Sequence, residues 1–114
     1  MQILDTIQAV TQPEPAIIAL EGEIDLHESP NVRATLRPLI EGKAPRIYID
    51  MAEVTYIDSS GLAVLIETMQ RTGAYGGKFA LFGLRDGVRG IFEIARLDQI
   101  FKIFPDETSA CADV

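Results

Sequence analysis

The chain is short of the residues on which small proteins build chemistry or covalent staples. It has one cysteine, Cys111, so an internal disulfide is excluded. A reducing, cytoplasmic setting is the expectation. The sole histidine, His27, cannot form a histidine metal cluster, and no Ser-His-Asp set can be assembled beyond it. No apolar run approaches the ~20 residues of a membrane span. The opening Met1-Gln2-Ile3-Leu4-Asp5 lacks the basic-then-apolar layout of a secretory signal, so direct membrane insertion is not expected. Basic residues are scarce: 10 Lys and Arg stand against 17 Asp and Glu, a net charge of −7. Nucleic-acid binding needs clustered Lys and Arg, and an anionic membrane would repel this chain. Such acidity suits a protein partner with a basic face, or serves solubility alone.

The 47% hydrophobic and 24% charged residues in 114 suffice for a core, and one domain over residues 1–114 is expected. Residues 3–11 read as a strand. Gln12-Pro13-Glu14-Pro15 is a turn signal, and 16–20 is a short apolar run that pairs back as a hairpin. Gly22 to Glu28 leads into a first helix, with Ser29 as N-cap, Pro30 at its first position and Gly42 at its end. Pro38 inside it predicts a kink or a distorted last turn. Residues 46–51 form a third strand with Ile47, Ile49 and Met51 on one face. A second helix runs over 60–72, with Leu62, Leu65, Ile66 and Met69 as its stripe, and stops at Gly73. Gly76-Gly77 turns into a strand over 78–84. Asp86 caps a third helix with Val88, Ile91, Phe92 and Ala95 as its stripe. A strand over 100–104 follows, and Pro105-Asp106 opens a brief terminal helix. The order ββαβαβαβ(α) predicts an α/β fold, a mixed sheet of about five strands with helices mainly on one face.

The stretch Asp58-Ser59-Ser60-Gly61-Leu62 stands where the second helix begins. The first amides of a helix lack intrahelical partners and carry the positive end of its dipole, so such a point holds an anion well. Three uses are open to a serine there: a cap, a ligand for phosphate on another molecule, or a residue that is itself phosphorylated. Gly61 is a poor helix former, and its missing side chain leaves room beside the hydroxyls for another molecule.

The whole chain, over about residues 3–110, resembles a STAS domain and specifically a bacterial anti-sigma factor antagonist. Gly22-Glu23-Ile24-Asp25 after the second strand and Ile57-Asp58-Ser59-Ser60-Gly61-Leu62-Ala63-Val64-Leu65 carry the resemblance, with Gly76-Gly77 and the third helix in support. The resemblance implies that Ser59 is the phosphoacceptor, with Ser60 as its backup. It implies a serine kinase, itself the anti-sigma factor, that uses ATP to phosphorylate Ser59, and a metal-dependent serine phosphatase that reverses the step. On the same resemblance the unphosphorylated form is expected to bind the kinase and free the sigma factor, and no cofactor is expected on the chain itself. Glu23, Asp25, Asp58, Ser60 and Gly61 are expected to face the partner, Asp58 by shaping the loop.

Competing functions are few. A STAS subunit of a lipid-trafficking ABC system, acting as an adaptor without phosphorylation, is the alternative. A receiver phosphorylated on aspartate would use Asp50 at a strand end. That type of domain wants an acidic pair after its first strand and no opening hairpin. Gly83-Leu84-Arg85-Asp86-Gly87 lacks the Gly-Lys-Ser/Thr ending of a phosphate loop, and no base, nucleophile and anion hole combine into an enzyme site. Cys111 reads as a tail residue, Arg89 and Arg96 as a solvated helix edge, and the five phenylalanines as core.

Overall fold

The computed structural model describes residues 15–113. Four strands, β1 (Ala16–Ile24), β2 (Arg46–Ile57), β3 (Lys78–Phe82) and β4 (Lys102–Phe104), form one sheet in that order. Every described pair is parallel. Parallel neighbours need a crossover. Helices α1 (Ser29–Glu41), α2 (Ser59–Ala74) and α3 (Asp86–Ile94) supply it, the last followed by a 3-10 turn at Leu97–Gln99. A short α4 (Glu107–Ala112) comes after β4. The α/β class stands. The strand expected over 3–11 and its hairpin lie outside the described residues, so the sheet described here has four strands.

Alternation along β2 builds both layers. Ile47, Ile49 and Met51 are fully buried on one face, against Leu36 of α1, Leu65 of α2 and Phe92 of α3. Burying each such side chain contributes about 1.5–3 kcal/mol. Tyr48 points the other way and packs with Ala80, Phe82 and Ala110 of α4. Cys111 is therefore half-buried in a docked helix rather than in a free tail. Phe79, Phe82, Phe92 and Phe101 are buried, and Phe104 is half-buried.

Several boundaries differ from the sequence reading, for local reasons. β1 extends through Gly22 and Glu23 to Ile24, and β2 runs on to Ile57, immediately before Asp58. Their pairing shifts register between Ala19 and Glu21 and again between Gly22 and Glu23, with β2 supplying the extra residue each time. Gly22 has φ +76, a conformation that favours glycine at such an irregularity. Asp50 is consequently inside β2, not at its end, and its carboxylate accepts from the Ala52 amide at 3.0 Å. α1 passes through Pro38 to Glu41 and closes with Lys43 N–H to Ile40 O (3.0 Å) and Ala44 N–H to Leu39 O (2.9 Å), Lys43 lying at φ 54. That double bond pattern satisfies the last carbonyls, so the final turn is an ordinary helix ending.

α2 passes through Gly73 to Ala74. Its buried line is Gly61, Val64, Leu65, Thr68 and Thr72, while Leu62, Ile66 and Met69 are only half-buried. Each threonine hydroxyl donates one turn back, Thr68 to Val64 O (2.8 Å) and Thr72 to Thr68 O (2.7 Å). The two polar residues are thus satisfied within the helix and can face the core. In α3 Arg85 is the cap and Asp86 the first helical residue; Ala95 is exposed just past the helix, as is Arg96 at φ 60.

Candidate functional site

β1 and β2 are parallel and end level with each other, Ile24 opposite Ile57. The two helices that follow them therefore begin at one edge of the sheet. In open α/β sheets this carboxyl edge is where ligands and partners are met.

Asp58 leaves β2 in extended conformation (φ −106, ψ −174) and caps α2. Its N–H donates to Ile24 O at 3.2 Å, which ties the motif to the end of β1. One carboxylate oxygen, Oδ1, accepts from Ser60 N–H (2.9 Å), Gly61 N–H (3.1 Å) and Ser60 Oγ (2.5 Å). The Ser60 hydroxyl, above all, holds the Asp58 carboxyl below its ordinary pKa. Desolvation opposes it, and the Gly61, Ser60 and Leu26 amides add to the lowering. The expected free amides at this helix start are not free: the protein's own carboxylate takes those of Ser60 and Gly61.

Ser59 is the first residue of α2 and is exposed. No side-chain hydrogen bond engages its hydroxyl among the described residues. Ser60 is half-buried and committed to Asp58. Gly61 is buried, and a Cβ there would lie 2.6 Å from Ile24 O and 2.7 Å from Ile57 Cγ1. Its missing side chain makes room for the end of β1, so the expectation that it leaves space for a partner is corrected.

The other expected residues sit at the same edge. Glu23 is exposed. Asp25 is half-buried; its Oδ1 accepts from Glu28 N–H at 3.0 Å, and its carbonyl accepts from Glu28 and Ser29 N–H at 3.1 and 2.8 Å. Asp25 therefore shapes the start of α1. Glu28, not Ser29, becomes the N-cap, and Ser29 is buried with its hydroxyl donating to Leu26 O at 3.4 Å. His27 is exposed in this turn. Two exposed apolar side chains, Leu26 (75%) and Tyr56 (46%), fall outside the expected set. Among the described residues no group of three or more His, Cys, Asp or Glu is arranged to hold a metal, and no helix is long and apolar enough to cross a membrane.

Residues 6–110 match the model of the STAS domain family. The chain is similar to the anti-sigma-B factor antagonist of Listeria monocytogenes, 34% identical over 86 residues and 75% of each chain. It is 25% identical to that of Staphylococcus aureus over 97 residues, 85% of this chain and 90% of the other. Among solved structures it superposes on the anti-sigma factor antagonist SpoIIAA in its unphosphorylated form, with TM-score 0.72 and 26% identity over 83% of both chains. SpoIIAA of Bacillus in its phosphorylated form gives TM-score 0.65 and 25% identity, covering 84% of this chain and 86% of that one. A sulfate transporter family protein from Wolinella succinogenes shares the fold at TM-score 0.74 and 20% identity, covering 85% of this chain and 81% of that one.

Proposed function

The chain belongs to the STAS domain family, and from that premise we propose that it is an anti-sigma factor antagonist switched by phosphorylation of Ser59. The observation that carries the reading is the state of that one hydroxyl. Its neighbours Ser60 and Gly61 are tied to Asp58, whereas Ser59 is exposed and unengaged at the head of α2. The similarity to proteins named anti-sigma-B factor antagonists, and to one whose structure exists in a phosphorylated form, supports the same role.

The unphosphorylated protein binds a serine kinase that is also the anti-sigma factor and so releases its target. ATP is bound by the kinase; this chain contributes the acceptor and no cofactor, and it acts as substrate and ligand rather than as an enzyme. A metal-dependent serine phosphatase resets it, and the cycle runs in the cytoplasm. Glu23, Asp25, Asp58 and Ser60 border the interface. A phosphate on Ser59 adds about −1.5 to −2 charge. It would face the Asp58 carboxylate, which already holds the nearest amides, with Glu23 and Asp25 at the same edge. Repulsion and the cost of burying a dianion then weaken the interface without refolding.

Intact-mass measurement after incubation with ATP and a serine kinase of the anti-sigma factor type from the same organism tests the proposal. The expected result is one phosphate on the wild type and none on Ser59→Ala, with weaker kinase binding by the phosphorylated form. No phosphate on either protein, with the kinase active on itself or another substrate, turns the reading to a STAS adaptor of a lipid-trafficking ABC system. A transporter-family protein shares the STAS fold, so the fold by itself does not separate the two readings. Copurification with a membrane permease rather than an ATPase kinase would identify the adaptor.

A further inference from the structure

The two adjacent serines of the motif are unequal, and the inequality lies in Asp58. We infer that Asp58 is a specificity-determining positioning residue: by holding the Ser60 hydroxyl it restricts phosphoryl transfer to Ser59. The inference rests on the phosphoacceptor reading above and goes beyond it, since it assigns the choice between two chemically identical hydroxyls to one carboxylate.

Transfer forms a bond from a serine Oγ to the γ-phosphorus of ATP. It breaks the bond from that phosphorus to the oxygen bridging to the β-phosphate, releases ADP, and passes the hydroxyl proton to a base on the kinase. Ser59 meets each requirement freely, being exposed and without a side-chain hydrogen bond among the described residues. Ser60 does not. Its Oγ lies 2.5 Å from Asp58 Oδ1, so its proton already serves a charge-assisted hydrogen bond that must break before a base can take it. Negative charge developing on Ser60 Oγ would then stand against the carboxylate. A phosphate there would also lack the Ser60 and Gly61 amides as donors, because they already bind Asp58. The half-buried position of Ser60 also limits approach by the kinase. A charge-assisted bond of this kind commands a factor of about ten or more in the relative use of the two hydroxyls.

The test uses the kinase and ATP with site-resolved tandem mass spectrometry on four proteins: wild type, Ser59→Ala, Ser59→Ala with Asp58→Asn, and Ser59→Ala with Asp58→Ala. Asparagine keeps a good cap for the helix amides but removes the charge, so at least one double variant retains the helix start. The expected result is phosphate on Ser59 alone in the wild type and none in Ser59→Ala. Phosphate should appear on Ser60 in a double variant, at least about tenfold above the single variant. Phosphate on Ser60 in Ser59→Ala at a rate near the wild type overturns the inference while leaving Ser59 a substrate. So does silence of Ser60 in both double variants, with native circular dichroism and kinase binding retained. An unphosphorylated wild type removes the acceptor reading itself, and this inference with it.

Discussion

α1 and α2 start side by side at one sheet edge, each opening on a serine that follows an aspartate, yet they use those residues in opposite ways. At α1 the carboxylate and carbonyl of Asp25 gather the Glu28 and Ser29 amides, and Ser29 is buried with its hydroxyl turned to Leu26 O. That start is closed. At α2 Asp58 gathers the Ser60 and Gly61 amides and the Ser60 hydroxyl, and Ser59 is left outside the network. The residue types match; what differs is the position of the serine relative to the aspartate that gathers the amides. Four residues after Asp25, a serine falls within the helix wall. One residue after Asp58, it falls on the outer rim. A single exposed hydroxyl is thus left outside the network of a helix start whose next two amides are satisfied.

The sharpest way to break this arrangement is at Gly61. Its absent side chain lets α2 begin against the end of β1, where a Cβ would meet a backbone oxygen, Ile24 O, at 2.6 Å. Backbone cannot yield as a flexible side chain does. Gly61→Ala is therefore expected to cost about 2–3 kcal/mol. Thermal unfolding should show a drop on the order of ten degrees. An unchanged melting temperature would mean that the end of β1 moves aside, and that the rim holding Ser59 is less fixed than described.

The two serines separate the closed start from the open one at a smaller scale. Ser29→Ala removes a buried hydroxyl and its bond to Leu26 O, and should cost about 1 kcal/mol. Ser59→Ala removes an exposed hydroxyl with no such bond and should stay within about 0.5 kcal/mol of wild type. Denaturant midpoints measure both. Equal losses would erase the distinction between the two helix starts.

Much of this was legible in the residues. The period-two run Ile47, Ile49, Met51 located a buried strand, and Asp58-Ser59-Ser60-Gly61 located the start of α2. Other facts were not legible, because they depend on which groups pair in the folded chain, whether one turn back along a helix or far away in sequence. The buried line of α2 runs through Thr68 and Thr72, which hydrophobicity alone assigns to solvent; only their hydrogen bonds one turn back admit them to the core. The role of Gly61 depends on Ile24, thirty-seven positions earlier, so a glycine beside two hydroxyls suggested space for a partner when the space belongs to β1. The extensions of β1 to Ile24 and β2 to Ile57 follow from pairing across register shifts that neither segment encodes by itself.

The smallest effect expected is electrostatic, and it reads the link between Asp58 and Ser60 without any partner. The folded carboxyl has its pKa lowered, first by the Ser60 hydroxyl. A depressed carboxyl contributes stability that is fully present above its unfolded pKa and is lost as pH falls through its folded one. Ser60→Ala removes the largest cause of the lowering and leaves the Gly61, Ser60 and Leu26 amides. The Asp58 titration, followed by the carbon chemical shift of its carboxyl, should therefore move upward toward the ordinary range, and the acid side of the stability curve should lose part of its slope. The other acidic residues titrate in both proteins, so the difference between the two curves isolates this pair. A variant whose Asp58 titrates as in wild type would show that the amides alone hold the carboxylate. The Ser60 hydroxyl would then be as free as that of Ser59, and the two serines would differ only in exposure.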